Sequence, residues 1–395
     1  MSVTERKGLV NGNGRTRLDA ETLEAYGRHT LPQILSEQAR RLKASDVAIR
    51  EKAYGIWQTV NWEEYFSYVR RTALGLMGIG VRRRDNVAIV TNNHPEWLYS
   101  ELGAQAVGCV TVNLFTSSIA DELAEALKRF QPTVAVVQDQ EQVDKLLETR
   151  PRLGFIKTVV YVDPTGMRTY RDNPWLMSFR ELLERGDEIE KENPQLFQSE
   201  LWRGKPDDVA VMIQTSGTTG LPKLAMLTHR NFTAMARKWI EATPIGIGSN
   251  WLSITPPAWI VDQIWGVGIA LTGGLTMNFP ETAETIETDF REIGPDVIVS
   301  SSRFWEDLAS KIRVKMADAS VLKRRLFQTA EKIGRRVVDA EAEKAPLTAS
   351  MRWMRRIASS LVFRPLMDRV GCLGLTTAYT GGHPISPEVI RFFRA

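Results

Sequence analysis

The sequence predicts an α/β fold with parallel-rich sheets flanked by helices. Short apolar segments such as 86–91, 133–137 and 209–214 alternate with longer segments that have helical spacing. Strands of a parallel sheet that is covered on both faces are nearly continuous runs of Val, Ile and Leu, and these segments have that composition. With 395 residues, of which 43 % are hydrophobic and 25 % charged, the chain is long enough for two or three globular domains.

Composition divides the chain into four stretches. Residues 1–29 are predicted to be a mobile tail, because the segment begins with charged residues and lacks the apolar core of a signal peptide. Residues 30–162 are predicted to form a first α/β unit. Residues 163–207 are polar and contain prolines, so we predict a surface connection there. Residues 208–395 are predicted to form a second unit, incomplete at its C-terminus, with a helical insert at 303–371.

Charge and cysteine content narrow the range of partners. A net charge of +4 gives no indication of nucleic acid, and the four histidines are scattered, so we assign no structural metal. Cys109 and Cys372 are far apart in the sequence, which suits a reducing cytosol and predicts buried, unreactive thiols. The apolar stretch 264–279 is short for a membrane span and contains glycines, so we predict a buried helix that continues into a strand.

Residues 214–229, QTSGTTGLPKLAMLTH, combine hydroxyls, glycines and a lysine directly after a predicted strand. Glycines allow a sharp turn with several exposed N–H groups, hydroxyls add donors, and lysine adds a positive charge, which together suit a polyphosphate. The pattern is not a Walker A loop, because Pro222 precedes Lys223 and Leu224 follows it. Residues 223–228 are instead predicted to be a second strand, with Thr228 as the N-cap of the next helix. By composition alone, an ordinary turn remains an alternative.

The order of residues in this loop resembles the signature loop of the adenylate-forming (AMP-binding) superfamily, and within it the long-chain acyl-CoA synthetases. The resemblance covers nearly the whole chain from about Thr30. It includes DNVAIVTNNHPEWLYSELGAQAVGCVTVNLF at 85–115, ITPPAWIVDQ at 254–263, SSRFWEDLASKI at 301–312 and AYTGGHPISPEVIRFF at 378–393. The fold that this resemblance implies is the N-terminal domain of an adenylate-forming enzyme, with the C-terminal lid domain absent.

The resemblance implies a reaction and a set of binding residues. Members of the family use ATP and Mg²⁺ to convert a carboxylic acid to an acyl-adenylate, and then transfer the acyl group to coenzyme A. By resemblance, the β- and γ-phosphates of ATP would be held by Thr215, Ser216, Gly217, Thr218, Thr219, Gly220 and Lys223, with Lys223 and Thr218 as the catalytic pair. Gly381, Gly382 and His383 would line the adenine and acyl-adenylate pocket, and Trp259 would border the fatty-acid tunnel.

Each of these assignments has a simpler alternative. Lys223 could be a solvated lysine of a hairpin. His383 could be an ordinary loop residue, and its imidazole stands where relatives usually carry a small residue. Trp259 could be a core residue.

The family motifs that follow the glycine-rich strand exit are not found before Ala395, so a C-terminally truncated, inactive ligase is expected. Two other functions remain open. One is an adenylating ligase for another acid, such as an aryl, bile or medium-chain acid. The other is a non-catalytic nucleotide- or acyl-binding protein, if Ala395 is the true end.

Basic amphipathic segments suggest where the protein works. Residues 351–370 carry five arginines and one acid among large apolar residues, and residues 303–339 are also rich in Lys and Arg. Helices of this kind can lie on anionic membranes. The sequence therefore predicts a cytoplasmic protein and leaves open peripheral association with the inner face of a membrane. A homodimer is also left open, because many relatives dimerise.

Overall fold

The computed structural model describes residues 14–215 and 223–395. Contacts divide the chain into two compact units, Met1–Ala283 and Glu284–Ala395. In the described part of the first unit the strands are β1 (Val47–Ala53), β2 (Ile56–Asn61), β3 (Asn86–Val90), β4 (Val110–Asn113), β5 (Val134–Val137), β6 (Thr158–Tyr161), β7 (Leu176–Ser178), β8 (Val209–Thr215), β9 (Lys223–Thr228), β10 (Asn250–Leu252) and β11 (Thr276–Phe279). Its helices are α1 (Ala20–Tyr26), α2 (Leu31–Arg41), α3 (Trp62–Gly78), α4 (Pro95–Ala106), α5 (Ala120–Phe130), α6 (Gln140–Glu148), α7 (Phe179–Glu192), α8 (Leu196–Leu201), α9 (His229–Ala242), α10 (Ile260–Asp262) and α11 (Ala270–Gly273).

Seven of these strands form one sheet, in the order β7–β6–β5–β3–β4–β8–β9. Neighbours from β7 to β8 are parallel, whereas β9 pairs with β8 in the antiparallel direction. The strands β10, β11 and β1 form a second parallel set, and β2 is antiparallel to β1. The carboxyl ends of β3 to β8 therefore lie along one edge, where ligand-binding loops begin in open parallel sheets.

The seven-stranded sheet has the buried apolar centre that its sequence predicts. All four residues of β5 are buried, and Ala88 on β3 and Val112 on β4 are 0 % exposed. Leu127 of α5 and Leu146 of α6 belong to the same apolar cluster. The continuous apolar runs thus identify strands that are covered by helices.

Residues 163–207 contain more regular structure than a surface connection implies. The strand β7 joins the sheet beside β6, and α7 packs along α3. Glycines allow this close approach, because a Cβ at Gly75 would lie 2.2 Å from the Leu182 carbonyl oxygen. A Cβ at Gly186 would lie 2.0 Å from the carbonyl oxygen of Arg71. The domain boundary at 163–207 stays a prediction.

Residues 20–26 also differ from the predicted mobile tail. They form α1, and the side chain of its N-cap residue Asp19 accepts a hydrogen bond from the backbone N–H of Thr22 at 2.7 Å. Leu23 and Tyr26 are each 4 % exposed, so packing holds this short helix in place. The part of the predicted tail at 1–13 lies outside the described residues.

The apolar stretch 264–279 is a helix followed by a strand, as predicted. The helical turn α10 continues through a π-helical segment, Gln263–Ile269, into α11. Gly274, with φ of 69°, ends the helix before β11 begins. The residues from Trp265 to Phe279 are all buried.

The second unit has two parallel strands, β12 (Val297–Ser301) and β13 (Thr377–Gly381). Its helices are α12 (Ile286–Ile293), α13 (Ser302–Ala317), α14 (Val321–Ala342), α15 (Ala349–Ala358), α16 (Arg364–Arg369) and α17 (Pro387–Arg394), with a π-helical segment, Ser359–Phe363, between α15 and α16. The helices α13 to α16 occupy the region that the sequence predicts as a helical insert. No helix among the described residues is both long enough and apolar enough to cross a bilayer.

Candidate functional site

The predicted phosphate loop connects two paired strands. The strand β8 ends at Thr215, β9 begins at Lys223, and these two residues are register partners in the antiparallel pair. The connection is therefore the tip of a hairpin, as predicted, and not the strand-to-helix turn of a Walker A loop. The tip residues predicted to bind phosphate lie outside the described residues: Ser216, Gly217, Thr218, Thr219 and Gly220.

The first turn of α9 fixes the base of this hairpin. The Thr228 hydroxyl accepts a hydrogen bond from the backbone N–H of Asn231 at 3.3 Å, and the Asn231 side-chain oxygen accepts one from Thr228 N–H at 2.9 Å. The predicted N-cap at Thr228 is confirmed. The next residue, His229, is buried, and its Nδ1 accepts a hydrogen bond from Leu31 N–H at 3.2 Å. Burial lowers the pKa of His229 to about 4, so its imidazole is neutral at pH 7.

Trp259 lies at the start of the helical segment that follows β10. It is the N-cap residue of α10, and its backbone N–H donates a hydrogen bond to the Pro256 carbonyl at 2.8 Å. Its side chain is 48 % exposed, which does not fit a core residue. Its predicted contact with an acyl chain stays a prediction.

Three residues after Trp259, Asp262 is completely buried and is held by three side-chain donors. Its Oδ2 accepts hydrogen bonds from Asn93 Nδ2 at 2.7 Å and from the Ser253 hydroxyl at 2.8 Å. Its Oδ1 accepts one from the Trp251 indole at 3.2 Å. Burial raises the pKa of Asp262 to about 7, although these hydrogen bonds act in the opposite direction. Because Asn93 follows β3 and Ser253 follows β10, this carboxyl group joins loops at the carboxyl ends of both parallel sets.

A second buried carboxyl group, Glu101 of α4, binds the residue that follows Asp262. Its Oε2 accepts hydrogen bonds from Gln263 Nε2 at 3.0 Å, Asn113 Nδ2 at 2.9 Å and the Trp97 indole at 2.8 Å. Burial raises the pKa of Glu101, and the hydrogen bonds oppose this shift. Asp262 and Gln263 therefore attach the start of the π-helical segment to two different parts of the first unit.

The sequence does not reveal this buried polar network, which consists of Asn93, Glu101, Asp262 and Gln263. The available signal was a pair of polar residues, Asp262 and Gln263, directly before the apolar stretch 264–279. A charged residue next to a buried segment requires buried hydrogen-bond partners, because its desolvation is otherwise too costly. The partners themselves cannot be found from spacing, since Asn93 is 169 residues away from Asp262.

The residues predicted on the adenine side follow β13 in the second unit. Gly381 ends that strand as the register partner of Ser301, and Gly382 has φ of 87°, a backbone conformation that favours glycine. Gly381, Gly382 and His383 are all exposed. Their role at an adenine stays a prediction.

An apolar cavity of about 710 Å³ lies within the second unit. It is bordered by β13 and by the helices α13, α14 and α16, with Trp305, Phe327, Phe363 and Met367 in its walls. Its size is within the range of small-molecule sites, and its aromatic and aliphatic walls suit a hydrocarbon chain.

Neither cysteine has a reactive environment. Burial raises the pKa of Cys109 to about 12 and that of Cys372 to about 11, so both thiols are protonated at neutral pH. Both are free and buried. Across residues 14–215 and 223–395, no three His, Cys, Asp or Glu side chains are grouped so that they could hold a metal ion.

The parallel-rich sheet with a Ser/Thr/Gly/Lys hairpin at its carboxyl edge has the predicted architecture, and a solved structure shares this fold. The adenylation domain of a carboxylate reductase from Mycobacterium chelonae matches with a TM-score of 0.70 at 18 % identity, covering 95 % of this chain and 58 % of that chain. The predicted fold class is confirmed. The family model described as AMP-binding enzyme matches residues 35–395, and the chain belongs to this family.

Two similar relatives are named long-chain-fatty-acid–CoA ligase ACSBG2. The Xenopus laevis protein is 26 % identical over 390 residues, which is 96 % of this chain and 51 % of the relative. The Rattus norvegicus protein is 28 % identical over 395 residues, which is 96 % of this chain and 58 % of the relative. The chain thus spans little more than half the length of these relatives.

Proposed function

We propose that this chain provides the adenylation part of an ATP-dependent acid–CoA ligase whose substrate is a long-chain fatty acid. The observation that carries the proposal is membership of the AMP-binding family together with the hairpin register of Thr215 and Lys223 around a Ser/Thr/Gly tip. The names of the two ACSBG2 relatives support a long-chain acid. Transfer to coenzyme A is proposed for the complete ligase.

The proposed reaction has two steps. In the first, a carboxylate oxygen of the acid attacks the α-phosphorus of ATP, the bond to pyrophosphate breaks, and an acyl-adenylate forms. In the second, the thiol of coenzyme A attacks the acyl carbon, AMP leaves, and the thiol proton is released. The first step requires charge neutralisation and positioning more than a protein nucleophile.

The hairpin would meet that requirement. We propose that Thr215, the hydroxyls and N–H groups of residues 216–220, and Lys223 hold the β- and γ-phosphates, with Thr218 and Lys223 closest to the reacting phosphate. Mg²⁺ would enter as part of the MgATP substrate, held by phosphate oxygens.

The acyl and adenine sides would be built from other segments. Trp259 would contact the acid, and the buried polar network would hold the turn that carries it. Gly381, Gly382 and His383 would line the pocket for adenine and the acyl-adenylate.

Acid-dependent exchange of pyrophosphate into ATP tests the first step without requiring coenzyme A. In the complete ligase we expect exchange with saturated acids of long chain, and a loss of roughly 100-fold for Lys223→Ala, because a charge that stabilises the transition state is removed. Lys238→Ala, at an exposed lysine on α9, is the matched control and should leave the rate unchanged.

The same assay separates the two alternatives. Exchange that occurs only with an aryl or medium-chain acid would support adenylation but would show that the substrate is not a long-chain fatty acid. Nucleotide binding without exchange for any acid would favour a nucleotide-binding protein. Absence of both would contradict the proposal.

We also propose peripheral association with an anionic membrane at the cytoplasmic face. Trp353, Ile357 and Leu361 follow each other at intervals of four residues and are 65 %, 38 % and 67 % exposed. These three residues, here named the apolar stripe, lie between exposed arginines, including Arg352 and Arg356. An exposed apolar helix face with basic flanks is suited to insertion among anionic lipid headgroups.

A further inference from the structure

A cleft of about 990 Å³ opens where β6 and β7 end in the first unit. Tyr161 ends β6, Ser178 ends β7 and is the N-cap residue of α7, and both residues line the cleft. Met167, which is 3 % exposed, and Leu176 contribute apolar surface. The cleft is within the volume range of small-molecule sites.

The cleft lies on the same edge of the sheet as the phosphate hairpin. The strands from β7 to β8 are all parallel, so β6, β7 and β8 end on one side. Four strand spacings separate β6 from β8, which corresponds to about 19 Å. Ligands of open parallel sheets bind outside this edge, so the cleft occupies a position suited to a second ligand site.

Three arginines surround the cleft: Arg168, Arg171 and Arg180. Among the described residues, Glu181 is the one acid in its lining, and the Glu181 carboxylate already accepts hydrogen bonds from the backbone N–H and the hydroxyl of Ser178, each at 2.7 Å. Arg180 is 3.4 Å from Glu184. The cleft therefore carries an excess of positive charge.

Within the part of the chain that the structure describes, two of these arginines lack the acidic partner that other arginines of the first unit have. Arg71 pairs with Asp187 and Arg230 pairs with Asp207. Among the described residues, Arg168 and Arg171 have neither an ion pair nor a side-chain hydrogen bond. A guanidinium group presents paired donors that match phosphate oxygens, and two such groups at one cleft suit a phosphate monoester.

Packing fixes the wall that carries these arginines. Gly166 has φ of 78°, and a Cβ there would lie 1.9 Å from Gln140 Oε1, so the turn is packed tightly against the start of α6. Trp175, on the other side of the loop, is buried, and its indole donates a hydrogen bond to the Ile156 carbonyl at 2.9 Å. The position of the loop is thus set before any ligand binds.

We infer that this cleft is a second binding site, which takes the phosphate monoester group of an organic ligand of nucleotide size. Arg168 and Arg171 bind the phosphate, and the apolar surface around Met167 and Leu176 contacts the organic part. This site is not needed for adenylation, so it goes beyond the proposed function. If the phosphate belongs to coenzyme A, the site extends the proposed function to recognition of its second substrate.

Site-specific arginine labelling tests this inference directly. The protein is treated with phenylglyoxal, and the modification of each arginine is followed by peptide mass spectrometry. The probes are coenzyme A, dephospho-coenzyme A, which lacks the 3′-phosphate monoester, and inorganic phosphate. With a probe at about ten times its Kd, labelling of Arg168 and Arg171 should slow about tenfold. Labelling of Arg325 and Arg336, exposed arginines of the second unit, should not change.

The three probes distinguish the source of the phosphate. Protection by coenzyme A but not by dephospho-coenzyme A assigns the site to the 3′-phosphate, whereas equal protection by inorganic phosphate assigns it to free phosphate. Binding of the protecting probe should weaken about tenfold in Arg168→Gln/Arg171→Gln, because two charge-assisted contacts are lost. The matched control Arg325→Gln/Arg336→Gln should bind normally.

Failure of this inference and failure of the proposed function give different results. The protection pattern should be the same in Lys223→Ala, since the assay does not depend on adenylation. Absence of protection at Arg168 and Arg171 by all three probes would overturn the inference and leave the ligase proposal unaffected.

Discussion

The buried polar network of the first unit and the apolar stripe of the second unit both break the usual rule of burial, but in opposite ways: the network buries polar groups and the stripe exposes apolar ones. In the network, two carboxyl groups, Glu101 and Asp262, are 0 % exposed and are surrounded by hydrogen-bond donors. In the stripe, Trp353 and Leu361 are more than half exposed, at 65 % and 67 %. A buried polar group supports structure only when it is paired, whereas an exposed apolar group contributes little until a partner covers it. Changes in the network should therefore alter stability, and changes in the stripe should alter binding alone.

The largest effect is expected for Asp262→Ala. The substitution removes three hydrogen bonds and leaves the donors of Asn93, Ser253 and Trp251 without their acceptor. We expect the free energy of unfolding of the first unit to fall by about 3–5 kcal/mol, measured by urea denaturation. Glu122→Ala, at an exposed acid of α5, is the control and should change it by less than about 0.5 kcal/mol. A cost for Asp262→Ala as small as that of the control would show that the network does not support the fold.

A smaller, pH-dependent effect is expected for Asp262→Asn. Burial raises the pKa of Asp262 from its ordinary value of 3.8 to about 7. Between these values the folded state holds a proton that the unfolded chain has lost, so this group's stabilisation decreases as pH rises from about 4 to 7. The side-chain amide of the variant does not titrate. The amount by which wild type is more stable than Asp262→Asn should therefore decrease as pH rises over that range. Thermal unfolding of both proteins from pH 5 to 7.5 measures this stability difference. A difference that stays constant over that range would contradict the raised pKa of Asp262.

His229 contributes a pH dependence of the opposite sign. Burial lowers its pKa to about 4 from an ordinary value of 6.5, so between these values the unfolded chain binds a proton that the folded state does not. Its contribution makes the protein less stable as pH falls from 6.5 to 4. The contributions of Asp262 and His229 oppose each other between about pH 4 and 6.5, so Asp262→Asn should lose stability more steeply on acidification than wild type does.

The sequence predicts the parts of the molecule that depend on local pattern. The hairpin around residues 216–222, the Thr228 cap and the helix-to-strand reading of 264–279 all follow from residue order and spacing. The network could not be predicted in the same way, because Gln263 and Glu101 are 162 residues apart and meet only when the first unit folds. The sequence predicts that 351–370 is basic and amphipathic, but which face the segment exposes depends on packing within the second unit.

The smallest effect on stability, with a clear effect on binding, is expected for Trp353→Ser/Leu361→Ser. Both side chains are largely exposed, so unfolding should be nearly unchanged, whereas binding to vesicles that contain anionic lipid should weaken at least about tenfold. Co-sedimentation with phosphatidylglycerol-containing and with purely zwitterionic vesicles measures this. Ile119→Ser removes an apolar side chain that is 61 % exposed in the first unit and is the matched control.

Two results would contradict the membrane assignment of the stripe. Equal binding to both vesicle types would show that the flanking arginines do not contribute to membrane binding. A protein that self-associates in solution, and becomes monomeric in the double variant, would assign the stripe to contacts between copies of this chain.

The central claim, that a carboxylate of the substrate attacks the α-phosphorus of ATP, is tested most directly with a fatty acid labelled with ¹⁸O in its carboxyl group. After reaction of the complete ligase with ATP and coenzyme A, the AMP released should carry one ¹⁸O atom, because the acyl–oxygen bond breaks in the second step and the bridging oxygen remains on phosphorus. Mass spectrometry of the nucleotide reads this transfer. Labelled AMP with wild type, and its loss in Lys223→Ala, is the result we predict. Label in inorganic phosphate, or unlabelled AMP formed together with the acyl product, would contradict the account.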